Sequence, residues 1–152
     1  MITNERQYRI TRREMGKFEE AIAALSEREV DRASEDALFR DLQIAAMRSQ
    51  LDDLQADIDE YQAIKSGERS RLTLDSFDQL PRALVAARIA AGLTQGDLAN
   101  RLGVHVQQVQ RYEASGYASA STRRVTEVVR ALGISIQIDV ALAPAGQTSD
   151  AS

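Results

Sequence analysis

The chain has no cysteine and a single histidine, His105. The first absence removes disulfide frameworks and thiolate metal sites, and the second leaves no cluster from which a histidine metal site is assembled. No apolar run approaches the roughly 20 residues of a membrane span. The polar, basic stretch 1–10 is not followed by the apolar core of a secretory leader. A cytoplasmic protein without metal, cofactor or membrane partner is the expectation. What is there has the make-up of an ordinary globular protein: 152 residues, 43% apolar and 28% charged, enough for one domain or two small ones with a real core.

The net charge of −4 and the pI near 5.1 argue at first against a nucleic-acid binder, which needs basic groups for phosphates. The total hides an asymmetry. Between positions 80 and 133 stand Arg82, Arg88, Arg101, Arg111, Arg123, Arg124 and Arg130 against only Asp97, Glu113 and Glu127. Most of the acidity lies before position 70. A basic domain on an acidic body accounts for this distribution.

The periodicity is mainly helical. Thr11 followed by Glu14 reads as a capping box, after which Met15, Phe18, Ile22 and Leu25 recur at helical spacing. From about Ala33 to Lys65 there is no Pro or Gly, and Ile44, Met47, Leu51, Leu54, Ile58 and Tyr61 form a narrow stripe of coiled-coil type. A helix of that extent is roughly 50 Å long. Its stripe requires a partner, either the first helix folded back as an antiparallel hairpin or a second subunit. The region 1–65 is therefore expected as a helical hairpin or coiled coil, and 66–73 as a linker.

Beyond the linker, Pro81 suits the first turn of a helix that Gly92 ends. Thr94 caps a second helix to Leu102, Gly103 opens a tight turn, His105 takes the next cap position, and Val106 to Ala114 forms a third helix. Ser121 starts a fourth, stopped by Gly133. These elements place a domain over 74–133, with a helix-turn-helix at its centre. Ile134, Ile136, Ile138, Val140 and Leu142 then alternate with polar or small residues, the period of a strand with one apolar face. No second strand is evident, so 134–143 is expected to pair with its own copy in a dimer, leaving 144–152 as a flexible tail.

The run from Arg88 through Gly92-Leu93-Thr94-Gln95, Leu98-Ala99, Leu102-Gly103-Val104 and Tyr112-Glu113 resembles the phage-repressor family of XRE/Cro type in order and spacing. The resemblance covers about a third of the chain. It implies a lambda-repressor-like helix-turn-helix bundle whose recognition helix, 106–113, enters the major groove. Val106, Gln107, Gln108 and Arg111 fall at the family's base-contacting positions. Glutamine amides suit adenine, the arginine fork suits guanine, and valine suits a thymine methyl. By the same resemblance Thr94, Gln95, Tyr117, Ser119, Ser121, Arg123 and Arg124 meet the DNA backbone, whereas Arg88 and Glu113 form a structural ion pair. For the loop residues, capping or solvation is the competing account, and His105 is expected to cap.

The resemblance implies a sequence-specific, homodimeric repressor of a double-stranded DNA operator. Such heads also occur in antitoxins, so the alternative is a protein that neutralises a toxin through its N-terminal helical region and represses its own operon. No nucleophile, base and oxyanion site comes together in the pattern, so an enzyme is not expected. Asp52 with Asp53 and Asp59 with Glu60 read as solvated helix face.

Overall fold

The computed structural model describes residues 1–28 and 35–142. Helix α1 (Glu5–Glu27) begins where Asn4, in extended backbone, accepts the Gln7 amide on its side chain. Gln7 in turn accepts from the Thr3 amide and hydroxyl, at 2.8 and 2.7 Å. The start therefore precedes the expected Thr11–Glu14 box, which lies inside the helix. No Pro or Gly interrupts 5–15, so once Asn4 nucleates the first turn nothing stops propagation through Thr11.

Helix α2 (Glu35–Lys65) runs antiparallel to α1. At one end the N-terminal ammonium sits 2.9 Å from Asp57, Tyr8 stacks on Tyr61 with ring centres 5.2 Å apart, and Gln62 donates to the Tyr8 hydroxyl. At the other end Arg40 donates to the Arg28 carbonyl. Within the chain, then, α1 takes up the stripe of α2 and the two make a hairpin. Glu5 accepts from both Tyr61 and Lys65. The Lys65 ammonium holds the Glu5 carboxyl below its usual range, and Glu5 raises Lys65. Both groups face water, so this tie is weak.

The second half is built from four short helices. A 3-10 turn, Phe77–Gln79, leads into α3 (Leu80–Ala90), with Pro81 in its first turn, where a missing N–H costs nothing. Then come α4 (Gln95–Leu102), α5 (Val106–Ala114) and α6 (Thr122–Leu132). Leu80, Leu84, Leu98, Val109, Tyr112, Val128 and Leu132 close their common core. The residues between α2 and the 3-10 turn carry no helix or strand.

Helix α3 is buried on two sides. Leu80 and Leu84 face the four-helix core, while Val85, Ala86 and Ile89 pack with Ile2, Met15, Ile58, Tyr61 and Ile64 of the hairpin. An exposed Arg82–Glu60 pair at 2.6 Å borders this contact. The hairpin and the four-helix unit thus share one helix.

The expected strand is absent. Residues 134–142 form no strand, and there is none among the described residues. A strand needs a neighbour to satisfy its amides and carbonyls, and the described residues supply none. Ile134 packs against the core, but exposure climbs from 39% at Ile136 to 87% at Leu142. The tail expected over 144–152 lies outside the described residues. Among the described residues no helix is long and apolar enough to cross a membrane.

Candidate nucleic-acid interface

Thr94 and Asp97 cap α4 reciprocally. The Thr94 hydroxyl accepts the Asp97 amide at 3.1 Å, and the Asp97 carboxylate accepts the Thr94 amide at 2.8 Å and the Thr94 hydroxyl at 2.6 Å. Those bonds, the hydroxyl first, hold Asp97 below its usual pKa. Helix α4 ends at Gly103, whose φ of 65° lies in the left-handed region. There a glycine lets the chain reverse into α5 without strain.

His105 occupies the position before α5, but its side chain makes no capping bond, contrary to expectation. Its backbone carbonyl accepts the Gln108 amide at 2.9 Å, leaving the imidazole exposed. It lines an open recess of about 640 Å³ with Gly103, Val104, Gln107, Gln108, Arg111, Tyr112 and Arg124. Three of the four expected base-contacting side chains, Gln107, Gln108 and Arg111, thus come together with Arg124 of α6. The Arg111 guanidinium donates to the Gln108 side-chain carbonyl. Val106 stands apart, half-buried against the core.

The expected backbone-contact residues divide. Thr94 is exposed at its cap, and Ser119 is exposed in the loop before α6. The Ser121 hydroxyl accepts the Arg124 amide at 3.2 Å and caps α6. Arg123 and Arg124 both pair with Glu127, at 3.3 and 2.7 Å, but only Arg124 borders the recess. Tyr117 is a correction. It is 6% exposed, stacked on Tyr112 at 5.8 Å, and burial drives its hydroxyl far above the usual phenol pKa. Its φ of 58° turns the ring inward, so the side chain anchors the loop to the core and offers nothing to a phosphate.

Behind the recess lies a buried network. Arg88 donates to both Glu113 oxygens at 2.6 and 2.8 Å, to the Leu93 carbonyl at 2.9 Å and to the Thr3 carbonyl at 2.7 Å. The ion pair is bidentate, with both side chains 2% exposed. Gln95 adds a bond from its amide nitrogen to Glu113 at 2.8 Å, which commits one of its two amide hydrogens to scaffold. One arginine therefore fixes α5, the approach to α4 and the N-terminus of the chain together. Thr3 was invisible to sequence reasoning because a carbonyl carries no residue signature. Among the described residues no group of histidine or acidic side chains is arranged to hold a metal.

Residues 84–138 match the family model described as Helix-turn-helix. No curated protein and no solved structure is matched. Residues 84–138 are thus a helix-turn-helix DNA-binding domain of XRE/Cro type, and α4, the turn at Gly103 and α5 form its helix-turn-helix unit. The hairpin lies outside the matched residues.

Proposed function

We propose that this chain is a sequence-specific transcription regulator that binds a DNA operator as a homodimer and represses by occupying it. The observation that carries the reading is the convergence of Gln107, Gln108, Arg111, Arg124 and His105 on one open recess. Helix α5 enters the major groove, where glutamine pairs with adenine and arginine with guanine, each good bidentate contact discriminating by about 1–3 kcal/mol. The free amides at the start of α4 take a backbone phosphate. One head offers too little surface for tight selective binding, so two heads address half-sites about one helical turn apart.

The test is selection of binding sites from random duplex DNA by the wild type and by Gln107→Ala/Gln108→Ala/Arg111→Ala. The wild type is expected to enrich a palindromic site, and the triple variant to keep general affinity while losing the preference. A variant that enriches the same site refutes the assignment of the recognition face.

A second reading, an antitoxin that also represses its own operon, draws on one observation. Leu38, Phe39 and Leu42 are each more than 60% exposed on the far part of α2, about 24 Å or more along the helix from Ile58. Glu35, Asp36 and Asp41 surround them, which suits an apolar contact with a basic toxin. Phe39→Glu is expected to abolish co-purification with a toxin encoded beside this gene, and DNA binding is expected to survive.

A further inference from the structure

We propose that the exposed face of α1 carrying Arg6, Arg9, Arg13 and Lys17 is a second phosphate-binding surface, which extends the DNA contact beyond the half-site read by α5. The proposal rests on the DNA-binding reading above. The four residues recur at spacings of three, four and four, which places them on one side of a helix. That side lies opposite Tyr8 and Met15, which pack with Tyr61 and Ile58 of α2. All four are exposed, and among the described residues none of their side chains makes a hydrogen bond or ion pair. Arg9 acts on Glu5, one helical turn before it, through its charge alone. Elsewhere on the surface Arg40, Arg69, Arg82, Arg123 and Arg124 have carboxylate partners.

Position is the second argument. Helix α1 starts where the Thr3 carbonyl caps the Arg88 guanidinium, 2.7 Å away. The same guanidinium holds Glu113 of the recognition helix and the Leu93 carbonyl just ahead of α4. Arg6 follows Thr3 by three residues, so the basic face begins beside the corner where α4 is to meet the DNA backbone. From Arg6 to Lys17 it extends about 16 Å, a length over which one strand of duplex presents about five phosphates. The charge is also local. Over 1–18 five basic side chains stand against Glu5 and Glu14, whereas the rest of the hairpin is acidic. A repulsive body with a basic face next to the reading domain is suited to an anion that the domain has already brought near.

The experiment measures the affinity of the full chain for a random-sequence duplex about three helical turns long, as a function of salt. It compares the wild type with Arg6→Gln/Arg9→Gln/Arg13→Gln/Lys17→Gln. Every phosphate that the protein ceases to neutralise makes the slope of log affinity against log salt shallower by about 0.9, so the loss of all four contacts is expected to make it shallower by about 3.6. Its preference for the selected site is expected to persist, since the face reads no bases. Replacing the three arginines with lysine is expected to restore the slope. An unchanged slope in the glutamine variant, with normal wild-type binding, overturns the proposal and points to an acidic protein as the occupant. A wild type that binds no duplex at all refutes the DNA reading itself. A matching thermal melt of the variants shows that the fold is intact.

Discussion

Arg88 and Glu113 show how much one side chain can carry. Arg88 is 2% exposed and reaches both Glu113 oxygens and two backbone carbonyls. Removing one partner of a buried ion pair leaves the other charge without compensation, which costs about 3–5 kcal/mol. Glu113→Ala is therefore expected to lower the unfolding free energy by about that amount in urea denaturation. A loss below about 1 kcal/mol is what an exposed pair gives, and would contradict the network. The pair was legible because both residues sit at fixed places in a recognisable pattern. The Thr3 carbonyl and the inward turn of Tyr117 were not, since one is backbone chemistry and the other depends on a ring five positions upstream, Tyr112, with which it stacks.

Elements with explicit stop and start signals were readable to within a residue. Pro81, Gly92, Thr94, Gly103 and Ser121 mark the helices of the DNA-binding domain because each solves a terminal hydrogen-bonding or backbone problem that only a few residue types solve. Where a signal is duplicated the reading slips, as with Thr11, a good cap in isolation that Asn4 pre-empts. The cap of α4 also carries an acid dependence. Asp97 is held below its unfolded pKa by its bonds to Thr94, so its contribution is present above the unfolded value and is lost as pH falls through the folded one. Protection of the Thr94 amide against hydrogen exchange, followed by NMR from neutral pH downward, is expected to fall below about pH 4. In Asp97→Ala the amide is expected to be poorly protected at every pH. A Thr94 amide whose protection ignores pH in the wild type would show that the carboxylate bond contributes nothing.

At the scale of the molecule, the docking of hairpin on reading domain escaped the sequence because Val85, Ala86 and Ile89 are apolar positions of a short helix that already has a core to serve. Nothing in an eleven-residue pattern says that two faces are needed. The segment 134–142 is the opposite case: its alternation is plain, yet among the described residues it has nothing to pair with. Ile138, Val140 and Leu142 are 62, 73 and 87% exposed, and such a run of exposed apolar side chains is open to a partner surface. The homodimer proposed above needs a joining surface, and this exposed apolar face is a candidate for it. Ile138→Lys/Val140→Lys places charge on that face without touching the folded core, so the thermal melt of the monomeric unit is expected to stay close to that of the wild type. Analytical ultracentrifugation is expected to find a dimer for the wild type and a monomer for the variant, with operator affinity falling alongside. A variant that remains dimeric moves the subunit contact elsewhere, and the exposed Leu38, Phe39 and Leu42 of α2 become the surface to substitute next.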